Sequence, residues 1–240
     1  MPYNEHELLK FLKEENQKIW KYYDFYKFLF LIENSSFHFT KLNEFEDPLE
    51  GNLTNATINR LRKQAKIDKK EEVEEFITSY KEWLDKGLIA VSCWCRSNNE
   101  SYHLWKSYGN EKYSVCLQST IGKLIASVEN TKEQIIFADV QYKDYNEFDI
   151  FEKTKTNFIF AASYKDIPYK DDKELRLLLF SESNLDIIIN LEKLIDKIIL
   201  SPLMNPWEKK IIKALLKKYS LDNNVIDSSI PLKKITYNSI

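Results

Sequence analysis

Glu174 and Arg176 stand two residues apart in the segment Asp172-Lys173-Glu174-Leu175-Arg176, and Leu175, Leu177 and Leu179 alternate with them. Alternate side chains of a strand share a face. The leucines are therefore expected in the core, with Glu174 and Arg176 projecting together from the opposite face and Asp172 extending the row. A carboxylate beside a guanidinium in that setting is either an exposed ion pair worth under about 1 kcal/mol or one wall of a lined cleft. Asp171, Asp172 and Glu174 also form an acidic group of the kind that holds a catalytic metal in nucleases, although no Glu-x-Lys follows it. Two further segments carry concentrated polar or aromatic groups: Phe45-Glu46-Asp47-Pro48-Leu49-Glu50-Gly51 and Trp105-Lys106-Ser107-Tyr108.

Thiol and imidazole chemistry has few candidates. Cys93 and Cys95 sit two apart on an expected strand, with His103 and Cys116 following, a donor set that zinc accepts. The Cys-x-Cys spacing is not that of a zinc knuckle, and free cysteines pack as small apolar residues more often than they bind metal. His6, His38 and His103 are the three histidines. The four glycines, at 51, 87, 109 and 122, are too scattered for a dinucleotide fingerprint or a phosphate-cradling loop. Neither a Gly-x-Ser-x-Gly elbow nor a His-Glu-x-x-His helix is present. Trp94 and Trp105 read as core or pocket wall rather than as a stacking platform for bases, because no basic stripe accompanies them.

A length of 240 residues is enough for a full core without staples. The formal charge of −2 supplies no global field for nucleic acid or anionic lipid, so neither nucleic-acid nor membrane binding is expected from charge. No apolar run is longer than that of Phe28 to Ile32, which is far short of the roughly 20 residues of a membrane span, and Met1 to Glu15 is charged throughout. With a sparse, odd set of three cysteines, the expectation is a soluble cytoplasmic protein. Of the 35 basic residues only Arg60, Arg62, Arg96 and Arg176 are arginines, and a chain so biased to lysine can keep arginine where its planar fork matters.

The elements that must position these groups follow from periodicity. Glu5 to Asn16 reads as a peripheral amphipathic helix, Ile19 to Tyr23 as a strand, Tyr26 to Glu33 as a helix and Ser36 to Thr40 as a strand. Pro48 keeps Asp47 out of the helical region and Gly51 permits positive φ, so Phe45 to Gly51 forms a structured turn, edging a pocket or not. Asp68 and Glu71 are spaced as a capping box for a helix that Gly87 stops. Leu88 to Cys95 and Tyr113 to Leu117 read as strands around a helix from Ser101 to Tyr108. Gln134 to Tyr142 is a strand, Glu147 to Ser163 a helix and Glu174 to Phe180 a strand. Lys197 to Leu200, Pro206 to Tyr219 and Val225 to Ser228 close the chain as strand, helix and strand, with Asn205 as cap. Internal packing is the default for the tail helix and its residues Trp207, Ile211, Ile212, Leu215 and Leu216. The expected architecture is α+β: a single domain over residues 1–240, with a mixed or antiparallel sheet, peripheral helices and a C-terminal strand-helix-strand unit at 195–230.

In order and residue type, Lys21 and Tyr22, then Phe45, Asp47, Pro48, Glu50 and Gly51, then Ser92, Trp105 and Tyr108, then Glu174 and Arg176 resemble the motifs of a bacterial family catalogued as domain of unknown function 2971. Glu46 stands where that family has asparagine, and Asp172 where it has the first glutamate of a Glu-x-Glu pair. The resemblance covers Trp20 to Phe180 and implies a fold and candidate residues rather than a reaction. The strand, helix, strand opening and the late strand glutamate are also similar to the ADP-ribosyltransferase fold. That resemblance implies NAD as substrate with no separate cofactor, Glu174 as the catalytic carboxylate, and Tyr22 or Tyr23 and Thr40 at the cleft. Arg176 or Lys21 would then hold a phosphate. A lone carboxylate suits this chemistry because cleavage of the nicotinamide bond develops an oxocarbenium-like cation. The first-strand histidine or arginine common in that superfamily has no match here.

Three expectations follow: an enzyme acting on NAD, as a toxin or antiviral effector; a noncatalytic module whose pocket, walled by Tyr22, Trp105 and Tyr108, takes a nucleotide or partner; and a metal-dependent nuclease. Lys21, Tyr22, Tyr23, Thr40, Asp47, Glu50, Trp105, Tyr108, Asp172 and Arg176 are the expected binding residues.

Overall fold

A computed structural model describes residues 14–68, 72–108, 113–153, 158–181, 183 and 185–231. The fold is α+β, with a mixed sheet. In chain order the elements are β1 (Lys18–Asp24), α1 (Phe25–Asn34), β2 (Ser36–His38), β3 (Thr40–Lys41), α2 (Asn55–Asp68), α3 (Glu72–Asp85), β4 (Ile89–Arg96), α4 (Tyr102–Tyr108), β5 (Ser114–Thr120) and α5 (Ile121–Val128). They continue as β6 (Ile135–Asp139), β7 (Gln141–Lys143), α6 (Ile150–Lys153), β8 (Tyr164–Asp166), β9 (Glu174–Phe180), β10 (Asp186–Ile188), α7 (Leu191–Leu194), β11 (Lys197–Leu200), α8 (Pro206–Lys218) and β12 (Val225–Asp227).

The chain forms two compact units. The first is built from the described residues of Phe37–Trp94 and Thr131–Ile187, the second from Glu14–Ser36, Cys95–Asn130 and residues 188–231. Because each unit is assembled from separated stretches, no linker in the sequence marks a boundary between them.

In the first unit β3 pairs antiparallel with β4, β4 lies beside β9, and β9 pairs antiparallel with β6 in a register that sets Ala138 opposite Arg176. One apolar layer joins Leu42, Leu84, Ile89, Val91, Ala138, Ala162 and Leu178, and another joins Leu53, Tyr80, Tyr145, Ile150, Ala161 and Tyr164. The turn after β3 is built as the sequence predicts. Asp47 Oδ1 accepts from the Leu49 amide at 2.9 Å, and the Glu50 amide donates to the Asp47 carbonyl at 3.1 Å. Gly51 follows with φ 69°. Its carbonyl accepts from the Tyr80 hydroxyl of α3.

In the second unit β5 is central, antiparallel to β1 on one side and to β11 on the other, with β12 parallel to β11. Parallel neighbours require a crossover, which α8 supplies, so the expected closing strand-helix-strand unit is present. Pro206 opens α8 after Asn205, whose amide donates to the Glu208 carboxylate at 2.6 Å.

Several expected elements take a different form. Ser36 to Thr40 divides into β2 and β3, and Gln134 to Tyr142 divides at Val140, whose amide turns to the Glu174 carbonyl. Asp68 ends α2 instead of capping α3, and Glu71 lies outside the described residues. The expected helix over Glu147 to Ser163 comprises α6 and a 3-10 turn at Phe158–Ser163, with 154–157 outside the described residues. Residues 5–13 of the expected leading helix also lie outside them. Helix α2 escapes an apolar-periodicity reading because its deeply buried anchor is Thr57, which donates to Asp149 at 3.0 Å and accepts from the Ile150 amide at 2.9 Å. Helix α5, not among the expected elements, has a legible signal in the sequence: Thr120 as cap, then Ile121, Leu124 and Val128 at helical spacing, all three buried.

A Cβ on Gly51 would lie 3.0 Å from Leu42 and 3.2 Å from Leu84, at a φ that side chains disfavour. Gly51→Ala is expected to lower stability by about 1–3 kcal/mol. Urea unfolding followed by circular dichroism checks this; an unchanged midpoint would show that the turn yields freely.

Candidate functional site

The polar row of β9 does not face water. Glu174 through Leu179 are all buried, and Arg176 has no solvent exposure. Of the two settings the sequence left open for the Glu174–Arg176 pair, the exposed one is excluded: both faces of the strand are covered, and the Arg176 face continues into Leu178 of the apolar layer. Small neighbours make room for the guanidinium, Ala138 across the ladder and Ala162, whose carbonyl accepts from Arg176 at 2.8 Å.

Five charged side chains of the first unit close around this position. Glu50, delivered by the Asp47–Gly51 turn, takes both terminal nitrogens of Arg176 in a fork at 2.9 Å each. Glu174 Oε2 accepts from Arg176 Nε at 2.7 Å. Its other oxygen accepts from Lys165 Nζ of β8 at 2.8 Å. Lys165 reaches on to Asp172 at 3.1 Å and to Glu50 at 3.5 Å. Lys173, with φ 48°, turns the chain between Asp172 and Glu174 so that both meet the same ammonium. At the outer side the Tyr169 ring lies 4.5 Å from Lys165 Nζ, and the Tyr142 hydroxyl accepts from the Glu174 amide at 2.8 Å.

Burial by itself would raise the Glu174 carboxyl, but the charges of Arg176 and Lys165 and their hydrogen bonds overturn it and bring it down to about 2. Desolvation likewise works against the two cations, and the carboxylates, Glu174 foremost, hold both Lys165 and Arg176 above their usual values. The Asp47 carboxylate, above all, pushes the Tyr169 phenol upward. Glu174 is thus a fixed anion at neutral pH, unable to act as a general acid and suited to electrostatic stabilisation of a cation. Within these five, Glu50, Asp172 and Glu174 outnumber Lys165 and Arg176 by one, so the cluster keeps an acidic surplus.

The expected site residues separate between the units. Glu50, Asp172, Glu174 and Arg176 come together in the first unit, with Asp47 near Tyr169; Thr40, also there, is half-buried on β3 and pairs with Val91. Lys21, Tyr22, Tyr23, Trp105 and Tyr108 belong to the second unit. There Tyr22 and Trp105 do not wall an open pocket as expected. They are buried edge to face, with ring centroids 5.1 Å apart, among Trp20, Cys95, Leu104, Cys116 and Ile199. The Tyr22 hydroxyl accepts from the Ser101 amide at 2.7 Å, and Trp105 donates to Glu100 at 3.2 Å. Tyr23 is buried, with Lys21 Nζ 5.5 Å from its ring centre, and its hydroxyl has no hydrogen-bond partner among the described residues. Tyr108 is exposed at the end of α4. Cys95 and Cys116 belong to this apolar cluster, whereas Cys93 packs in the first unit, and among the described residues no group of three or more His, Cys, Asp or Glu is placed to hold a metal ion.

Lys165, Tyr142 and Tyr169 are the members that sequence reasoning misses. Lys165 is one lysine among 31 and has no local mark; Tyr142 lies at the end of an ordinary strand pattern. Neither the known family models nor the curated proteins contain a match to this chain.

Truncating Arg176 to alanine would leave Glu50 and Glu174 buried without their main counter-ion, and a loss of about 3–5 kcal/mol is expected. Arg176→Lys recovers only part of it, since an ammonium cannot make the fork to Glu50. Chemical denaturation of both variants provides the measurement; equal stability of wild type and Arg176→Ala would remove the network from the fold's foundations. The pH dependence has a defined sign. A carboxyl held below its ordinary value of 4.5 contributes stability that is complete above that value and is lost as the pH falls towards about 2. Acid titration should show this limb in the wild type and a shallower one in Glu174→Gln.

Proposed function

We propose that the first unit binds NAD and cleaves the bond between nicotinamide and ribose, transferring ADP-ribose to an acceptor or to water, with Glu174 as the carboxylate that faces the developing sugar cation. The observation that carries this reading is a buried carboxylate on a late strand, held ionised by two cations within a cluster of acidic surplus. A fixed anion in a low-dielectric setting stabilises an oxocarbenium-like transition state without reorganising at the moment of reaction.

Lys165 supplies the means of uncovering it. Its ammonium has three carboxylate neighbours, Glu174, Asp172 and Glu50, and can leave Glu174 Oε1 without losing all its partners. The pyrophosphate of the dinucleotide draws Lys165 outward, which frees that oxygen towards the ribose. Arg176, forked on Glu50, keeps the other oxygen in place. A cationic pyridinium fits the acidic surplus beside the Tyr169 and Tyr142 rings. Consumption of NAD would make the chain a toxin or an antiviral effector.

A second reading, a noncatalytic nucleotide- or partner-binding module, is favoured by one specific feature: both oxygens of Glu174 are already engaged by cations of the same unit. The nuclease reading meets the same feature, because Lys165 and Arg176 occupy the oxygens a metal would take.

The test is NAD consumption by the purified chain, with mass spectrometry of the products, in the wild type, Glu174→Gln and Asp172→Asn. Asp172 lies at the margin of the network, so Asp172→Asn disturbs the fold less than Glu174→Gln, whose folding must be verified by circular dichroism. Turnover lowered by about a hundredfold or more in folded Glu174→Gln is the expected outcome. Binding of NAD with no turnover in any form would select the module; neither binding nor turnover would reject NAD as the ligand.

A further inference from the structure

Helix α8 presents a surface that the site in the first unit does not explain. Its inner face is settled: Glu208, Ile212 and Leu216 are buried in the second unit. Trp207 and Ile211, four residues apart, face outward at 60% and 57% exposure, with Ala214 next on the same stripe. The internal packing expected of the whole helix therefore holds for only one of its two apolar stripes. Along one flank of the outer stripe run Lys210, Lys213 and Lys217, and Lys218 closes its end. Lys213 is shared with Lys209 on Asp227, while Lys210, Lys217 and Lys218 have no ion pair among the described residues. Glu208 is the sole acid of α8 and is buried at the N-terminus, so the outer face is purely apolar and basic.

Helix α1 lies near α8. The Phe25 amide that opens α1 donates to the Tyr113 carbonyl, and the Ser201 amide, five residues before α8, donates to the Ser114 carbonyl. The two helices meet where the Tyr219 hydroxyl donates to Glu33. The first turn of α1 carries Tyr26, 81% exposed, and Lys27, and Phe30 follows one turn later.

We propose that the outer face of α8 docks the protein on the surface of an anionic lipid bilayer. An exposed tryptophan and isoleucine flanked by lysines match the two components of such a surface, an apolar boundary layer and negative headgroups. Charge complementarity selects this occupant. A second copy of the chain on a two-fold axis would bring the same lysines together, and like charges there oppose association. A nucleic acid would satisfy the lysines but would offer no apolar layer for Ile211 and Ala214. The contact lies at the surface, in keeping with the finding that no described helix is long and apolar enough to cross a membrane.

The test is co-sedimentation of the full chain with phosphatidylcholine vesicles prepared with and without phosphatidylserine, together with tryptophan fluorescence. Binding is expected only with phosphatidylserine, weakened by salt and accompanied by a blue shift that Trp207→Phe diminishes. Lys210→Ala combined with Lys217→Ala is expected to lower partitioning on the order of twentyfold, at about fivefold for each lysine near a charged surface. Trp207→Ala should lower it to a similar degree. These side chains are exposed, so circular dichroism spectra should match the wild type. Failure to bind phosphatidylserine vesicles, equal binding to both vesicle types, or a concentration-dependent dimer abolished by Trp207→Ala would each overturn the proposal. Retention on a DNA column without vesicle binding would overturn it as well and assign the lysines to a polyanion.

Discussion

A guanidinium taken wholly out of water governs the first unit. An isolated charge in such a place costs many kcal/mol, and Arg176 is tolerated only because every side of it is answered. Glu50 supplies a fork, Glu174 a third oxygen and Ala162 a carbonyl, while Ala138 leaves space across the ladder. Each answer brings its own requirement. Glu174, itself buried, needs Lys165; Lys165 needs Asp172. The turn at Asp47–Gly51, the 3-10 turn before Lys173 and the short strand β8 have their shapes tied to this sequence of compensations. Removing one charge leaves several groups wrongly paired.

The second unit rests on different physics. Its central strand β5 is buried on both faces, and aromatic and sulfur-bearing side chains fill the space around Cys116. Trp20 donates to the Ser97 carbonyl and the Tyr22 hydroxyl accepts from the Ser101 amide. Glu100 gathers Trp105, Ser228 and the backbone and side chain of Ser229, fastening the segment after β12 to α4. Rings and thiols packed in this way give rigidity without an electrostatic cluster, and leave the chemistry of charged groups to the first unit.

The same charges that stabilise the first unit also limit how it can react. Arg176 is locked by five N–H donors set in a plane, and reorienting it would break the Glu50 fork and the Ala162 contact together. Lys165 is a point charge on a flexible stem, in reach of three carboxylates, and moves at smaller cost. That difference makes Lys165, Asp172 and Tyr169 the adjustable part of the cluster, with Glu50, Glu174 and Arg176 as the rigid base.

The sequence by itself determined the α+β class, the strand Glu174–Phe180 to the residue, the turn with its positive-φ glycine, and the capped C-terminal helix between two strands. These follow from local rules: strand alternation, the steric demands of proline and glycine, and the capping of helix ends. Strand alternation also determined that Glu174 and Arg176 share a face. Whether that face meets water or other protein was decided by tertiary structure, because burial depends on segments such as Glu50 and Lys165 that are 126 and 11 residues away from Arg176. For the same reason Tyr22 and Trp105 became core rather than pocket, and α8 kept one apolar stripe for the interior and turned the other outward. Periodicity identifies which side chains travel together; only the assembled neighbours decide what covers them.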